Sequence, residues 1–374
     1  MRIGLVAGEA SGDSLGAGLM REIQKIHPDV HFEGIFGPKM EKISNNCWAR
    51  SNELSVMGII EPIKRLPHLI LLRKRILKKW LKYPPDIFIG IDAPDFNLTL
   101  EEKLRLKGIT TVHYVSPSIW AWRSNRIEKI RRCANKVLCL LPFEPDLYKK
   151  YKIPAVFVGH PAANKLPYSL KRNAVRDQFH LSSGTIIAIL PGSRFSEIEN
   201  LGPIFAGVAK LLIDRYKGIT FVAPMVSSEI YNQFEQYLID NNIRDSFLLV
   251  NGCAHEMIVA SNLVLLASGT AALESALLCR PTIAAYKVSK LSYFILNKLI
   301  KIDSFTLPNI LLNKQVIPEF IQSKASIQNL NKAICDNLDN PDYEETIRAD
   351  FSLLRSKLNL DTDKLAALEV LELI

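Results

Sequence analysis

Short apolar runs alternate with longer amphipathic stretches through the first half of the chain. IGLVA (3–7), DIFIGI (86–91), TTVHYV (110–115) and KVLCLL (136–141) are almost continuously apolar. That is the pattern of strands covered on both faces of a parallel sheet. Between them, 15–26, 65–82, 98–107 and 123–133 read as amphipathic helices. AVFVGHP (155–161) closes this half, and the polar, proline-containing stretch 162–172 reads as a linker. The pattern then restarts with TIIAILPGSR (185–194), a helix through 201–215, ITFVAP (219–224) and a helix. SFLLVNG (246–252), LVLLASGT (263–270), a further helix and PTIAAY (281–286) follow. The expected fold is α/β: two Rossmann-like domains facing a cleft, with ligands at the carboxyl ends of the strands. The expected boundaries are 1–165, 166–342 and a helical tail, 343–374. In that tail Asp361 and Asp363 form a D-x-D, read as an N-cap and a first-turn acid rather than a metal site.

The length, 374 residues, supports two domains. A net charge of +9 favours anionic partners: nucleic acid, phosphorylated ligands or an acidic membrane surface. Nucleic acid is the poorest fit, because no recognised binding module is present and the charge clusters with Leu and Ile rather than with stacking aromatics. The six cysteines are scattered with no CxxC pair, which argues against a zinc site or a disulfide framework and suits a reducing cytoplasm. A strand pattern follows Arg2 at once, so no signal peptide is expected. No stretch approaches ~18 uncharged apolar residues, so no membrane-spanning helix is expected. Two basic stretches, 62–82 and 285–302, interleave Lys and Arg with Leu and Ile; the first has eight Lys/Arg and no acid. Such helices either lie on a membrane surface or pack on the sheet with a solvated basic face.

The chemistry concentrates at strand ends. GEASGD (8–13) follows the first strand but lacks the spacing of a dinucleotide fingerprint, and Glu9 and Asp13 would repel a pyrophosphate. Gly8, Glu9 and Ser11 suit a hydroxyl-rich ligand instead, with Ser11 or Asp13 expected to cap the following helix. In IDAPDFN (91–97), Asp92 sits nearest the strand end and is the candidate proton acceptor, while Asp95 is expected to cap a helix starting near Leu98. In YVSPSIWAWR (114–123), Ser116, Trp120 and Trp122 are candidates for a site wall. LPGSR (190–194) brings Gly192, Ser193 and the forked donors of Arg194, and ASGTAALE (267–274) opens a helix with Ser268, Gly269 and Thr270. Both loops suit a nucleoside diphosphate, with Glu274 one turn in to take ribose hydroxyls.

Taken together, GEASGD, VMGIIE (56–61), IDAPDFN, YVSPSIWAWR, LPFE (141–144), FVGHP (157–161), LPGSR, SGTAALE and SFTLPNILL (304–312) resemble the lipid A disaccharide synthase family over nearly the whole chain. That family comprises inverting glycosyltransferases of the GT-B type. The resemblance implies transfer from UDP-2,3-diacylglucosamine to 2,3-diacylglucosamine 1-phosphate, giving a β-1′,6-linked disaccharide 1-phosphate and UDP. It implies no cofactor or metal, and a cytoplasmic protein peripheral on the inner face of the inner membrane. Asp92 would be the base and Arg194 would stabilise the departing diphosphate. Glu9, Ser11, Asp95, Ser116, Trp120 and Asn309 would face acceptor and sugar. It also implies C-terminal helices that cross back to the first domain, within one chain or exchanged in a homodimer. His160 is the alternative base, ranked second to Asp92. Asn164 departs from the family pattern, in which an acidic residue is expected.

Overall fold

The structure, a computed structural model, describes residues 1–54, 60–121, 126–267, 269–289 and 304–374, with the side chains of 60–65 outside the description. The chain divides into two compact units, Met1–Asn164 with Leu358–Ile374, and Lys165–Lys357.

The first unit holds a seven-stranded parallel sheet: β1 (Arg2–Ala7), β2 (His31–Phe36), β3 (Cys47–Arg50), β4 (Ile87–Ile91), β5 (Thr110–Tyr114), β6 (Lys136–Cys139) and β7 (Ala155–Phe157). Their order in space is β3-β2-β1-β4-β5-β6-β7. The second unit holds six parallel strands: β8 (Ile186–Leu190), β9 (Thr220–Met225), β10 (Phe247–Asn251), β11 (Leu263–Ala267), β12 (Thr282–Tyr286) and β13 (Glu319–Ile321). Their order is β10-β9-β8-β11-β12-β13. Both sheets therefore reverse direction of growth once, between β1 and β4 and between β8 and β11. Ligands bind at such switch points, outside the carboxyl ends of the strands. GEASGD and IDAPDFN follow β1 and β4; LPGSR and SGTAALE follow β8 and β11. The four loops singled out by sequence thus flank the two switch points.

The continuous apolar runs became central strands because both faces are covered: Leu5 and Ile89 are buried in one cluster and the alternating Val6 and Phe88 in another, and in the second sheet Ile187 and Leu265 alternate with the equally buried Ile186 and Leu266. β2, β3 and β13 carry no such run. In β2 the buried Glu33 interrupts the apolar pattern, and it is matched by Arg2 Nη2 at 2.8 Å and by the Trp80 indole N–H at 2.9 Å.

The basic helix Ile60–Lys82 turns Leu72, Ile76 and Trp80 onto the sheet, where Trp80 is fully buried. A Cβ on Gly4 would lie 2.9 Å from its ring. Trp80 is therefore core rather than membrane-facing, and truncating such a residue costs about 3–5 kcal/mol. The opposite side carries Lys74, Lys78 and Lys82 with exposed Leu71 and Leu81. Of the second basic stretch, 290–303 lies outside the described residues. No described helix is long and apolar enough to cross a membrane.

The tail divides where the sequence did not mark it. Helix Tyr343–Leu358 is tied to the second unit through Glu344 to Arg172, Asp350 to Lys314, and Arg355 over the Tyr168 ring. Only the chain from Leu358 onward joins the first unit, where Ala366, Ala367 and Val370 enter the core beside Leu15 and Leu19. Asp361 caps the final helix, Thr362–Leu371, accepting from the Lys364 amide at 3.4 Å.

Candidate functional site

In the first unit the chain leaves β4 through two consecutive residues of left-handed backbone, Asp92 (φ 54°) and Ala93 (φ 43°). Neither is glycine, and such strain persists only where the surroundings enforce it. The Asp92 amide donates to Tyr114 O at 2.8 Å, and the buried Asn97 amide donates to Asp92 O at 2.8 Å. Asn97 also reaches Val6 O at 3.3 Å, so it ties the ends of β1 and β4 together. Gly8 completes the junction: a Cβ there would lie 2.3 Å from Ala93 Cβ. GEASGD and IDAPDFN are therefore packed against each other, and the half-buried Asp92 carboxylate is fixed by the backbone beneath it.

Two capping expectations are corrected. The position before helix Ala10–Ile26 belongs to Glu9, and no side chain caps it. Asp13 is buried and caps a different helix, Pro38–Glu41, accepting from the Lys39 amide at 2.9 Å and the Met40 amide at 3.0 Å. Ser11 stays exposed. Asp95 does not cap either, because Pro94 starts the helix four residues earlier than expected and Ala93 holds the cap position. The Asp95 carboxylate lies in the first turn and pairs with Arg126.

Asp92, Asp95 and Glu9 open onto one cavity of about 400 Å³. Its apolar lining includes Leu66, Leu69 and Ile70 of the basic helix with Phe96. Arg73 lines it as well, lying 5.8 Å from the Phe96 ring centroid, and burial lowers its pKa. The sequence reading missed Arg73 as an individual; its only signal was its place in a basic run.

Ser116 and Trp120 stand back from this cavity. Ser116 is buried against the Tyr148 hydroxyl at 2.9 Å. The Trp120 indole donates to Glu144 Oε1 at 3.2 Å, and the Leu141 amide donates to Glu144 Oε2 at 3.1 Å. Burial pushes the Glu144 carboxyl up to about 7, against the pull of the Leu141 amide. Glu144, the acid of LPFE, organises this loop and was not singled out from the sequence. Trp122 lies outside the described residues. His160 serves its own helix, its Nδ1 accepting from the Ala162 amide at 3.2 Å. Asn164 bridges to the tail, accepting from Thr362 at 3.0 Å and donating to Asn359 at 3.1 Å.

In the second unit Gly192 (φ +125°) turns the chain after β8, and a Cβ on it would meet Glu197 Cβ at 2.5 Å. Glu197 Oε2 accepts from the Ser193 amide at 2.8 Å and the Arg194 amide at 3.3 Å. The amides expected to face a diphosphate are thus held by an internal carboxylate at the third position of helix Phe195–Arg215, the glutamate half of a capping box without its partner, since the Arg194 side chain has no acceptor to return the bond. The Arg194 side chain is 78% exposed. After β11, Gly269 (φ +109°) and Thr270 open helix Thr270–Leu277 into solvent, while Ser268 lies outside the described residues. Glu274 pairs with His255 Nε2 at 3.3 Å, and that bond raises the His255 pKa. His255 follows β10 and was also missed. Asn309 uses its whole amide internally. It donates to Ile317 O and Glu319 Oε1 at 2.8 Å each and accepts from Val316 and Ile317. It braces the SFTLPN loop rather than presenting a free group. Among the described residues no three His, Cys, Asp or Glu side chains come together as metal ligands would.

A family model described as lipid-A-disaccharide synthetase matches residues 3–370. The chain is 42% identical to the lipid-A-disaccharide synthase of Hahella chejuensis, covering 100% of this chain and 94% of that protein. It is 41% identical to that of Idiomarina loihiensis, covering 98% and 96%. Among solved structures it is similar to the UDP-GlcNAc 2-epimerase of Neisseria meningitidis, with a TM-score of 0.61 and 12% identity over 100% of this chain and 99% of that one. It is also similar to a glycosyltransferase from Rickettsia africae, with a TM-score of 0.57 and 13% identity over 99% and 96%. At such identities the structural likeness marks a shared two-domain GT-B-like fold and nothing finer.

Proposed function

The chain belongs to the lipid-A-disaccharide synthase family, and from that premise we propose the reaction its site performs. The protein is a glycosyltransferase of lipid A biosynthesis. UDP-2,3-diacylglucosamine donates its sugar to 2,3-diacylglucosamine 1-phosphate, with inversion, giving the β-1′,6-linked disaccharide 1-phosphate and UDP. Asp92 accepts the proton of the acceptor 6-hydroxyl as its oxygen attacks the anomeric carbon of the donor. Arg194 and the open start of helix Thr270–Leu277 receive the departing diphosphate. Glu274 takes the ribose hydroxyls, and Glu9 and Ser11 those of the reacting sugars.

The observation that carries this reading is the cavity beside Asp92. Carboxylates, leucines, an isoleucine and Arg73 line it together. A sugar with hydroxyls, a phosphate and acyl chains presents the complementary surfaces. The exposed basic side of helix Ile60–Lys82 then meets an anionic membrane surface, which makes the protein peripheral on the inner face of the inner membrane.

The test is incubation of the purified protein with both lipid precursors in detergent and EDTA, alongside Asp92→Ala. Disaccharide from the wild type and less than about a hundredth of it from the folded variant is expected for loss of a general base. Equal rates from both would remove Asp92 from the role. No product from either would remove the proposed substrates.

A further inference from the structure

A second cavity, of about 560 Å³, lies wholly within the second unit and includes neither LPGSR nor SGTAALE in its lining. It is lined by Arg172 at the start of helix Arg172–Gln178, Arg280 just before β12, and Glu344 and Arg348 of helix Tyr343–Leu358. Lys171 and Asp177 complete its charged groups. Arg280 precedes the amino end of β12, whereas LPGSR follows the carboxyl end of β8, and β8, β11 and β12 run parallel. The cavity therefore opens at the opposite edge of the sheet, the length of a five-residue strand away, about 16 Å.

One carboxylate serves three guanidiniums here. Glu344 receives Arg172 Nη2 at 2.8 Å, Arg348 Nη2 at 3.5 Å and Arg280 Nη1 at 3.7 Å. With Lys171 and Asp177 counted, four cations face two anions. Two guanidiniums beside a single carboxylate already exceed what it neutralises, and the third adds repulsion in a partly desolvated place. Two further observations agree. Arg172 Nε is buried and has no hydrogen-bond partner, which is costly for a charged donor. Burial and then the neighbouring Arg172 pull the Arg280 pKa down to about 10. Arg280 also holds backbone, donating from Nε to Val259 O and from Nη1 to Cys279 O at 3.1 Å each, and these neutral carbonyls leave the excess of positive charge in the cavity uncompensated.

We infer that this cavity is a second anion site, in which Arg172, Arg280 and Arg348 bind a phosphate group. Guanidinium forks match phosphate oxygens in pairs, and a dianion supplies the two charges the cluster lacks. Glu344 is its internal competitor. A soluble phosphorylated metabolite and a phospholipid headgroup present the same chemistry.

The experiment titrates the full chain with inorganic phosphate by calorimetry at constant ionic strength. Saturable binding is expected, weakened about tenfold by Arg172→Gln with Arg348→Ala, since each removes a charge-assisted contact. Arg194→Ala leaves it unchanged, which separates this site from the proposed diphosphate loop. Glu344→Gln tightens it, whereas a purely structural ion-pair network predicts no gain. Arg348 is 62% exposed, so Arg348→Ala alone keeps the test available if the double variant fails to fold. Vesicles of phosphatidylglycerol, with phosphatidylcholine as control, distinguish the two sources. Vesicle binding lost in the double variant and displaced by soluble phosphate assigns the headgroup; vesicle binding unaffected by the variant assigns a soluble ligand. No saturable phosphate binding at millimolar concentration, an unchanged affinity in the arginine variants, or weaker binding in Glu344→Gln overturns the inference.

Discussion

Glu144 gives the first unit a pH dependence between the acidic and the neutral range. In the unfolded chain its carboxyl loses its proton near 4.5; in the fold, burial holds the proton to about 7. Between those values the folded state binds the extra proton. Stability attributable to this group therefore falls as pH rises through that window and is level above it. Glu144→Gln keeps an acceptor for Trp120 or the Leu141 amide and cannot ionise. Melting temperature plotted against pH should slope downward from about 4.5 to 7 in the wild type and lie flatter in the variant. Parallel curves would show that the carboxyl does not titrate there. Asp13 makes the complementary point about reading single residues. It belongs to a motif that invites a ligand-binding role, yet from the first turn of helix Ala10–Ile26 both its oxygens hold amides of another helix. Nothing near Asp13 in the sequence announces Lys39 and Met40, 26 and 27 residues onward.

Among the elements, helix Phe195–Arg215 is informative because its capping conflicts with its proposed task. Glu197 stabilises the helix start by accepting the Ser193 and Arg194 amides, a contribution of about 1 kcal/mol. Those amides are the donors a diphosphate would use, so the carboxylate both blocks and repels it. Glu197→Ala should lower unfolding free energy by about that amount while tightening UDP binding, measured by urea denaturation and by calorimetry. Weaker UDP binding would mean that Glu197 supports the nucleotide instead. A glutamate three residues beyond Arg194, early enough in the helix to reach back to its first amides, was legible in the sequence. Its competition with the ligand was not, because that depends on Gly192 letting the carboxylate approach.

On the scale of the whole molecule, the charge of +9 is spread unevenly. Lys74, Arg75, Lys78, Lys79 and Lys82 stand exposed on one helix beside Leu71, while its other side is locked to the sheet by Trp80. Lys74→Glu with Lys78→Glu should reduce binding to vesicles of anionic lipid, at about 1 kcal/mol for each charge removed. Raising the salt should mimic the effect, and neutral vesicles should show neither. Unchanged anionic-vesicle binding in the variant would dismiss this helix as the contact.

By itself the sequence determined the doubly wound class, the succession of central strands and the four loops at the switch points. Each rests on local information: a continuous apolar run must be covered on both faces, and a glycine or proline at its end sets the turn. It also carried the family, through motifs made of consecutive residues. The tertiary structure alone decided what depends on partners distant in the chain. β2 forms despite Glu33 because Arg2 matches its charge and the Trp80 indole donates to it. Trp80 became core, and Asn309 a brace whose amide is fully used. The tail splits at Leu358 because its helices find different cores. The same distinction separates Asp92, legible as a carboxylate at a strand end, from the strained backbone that aims it, which exists only where Gly8, Asn97 and Tyr114 meet.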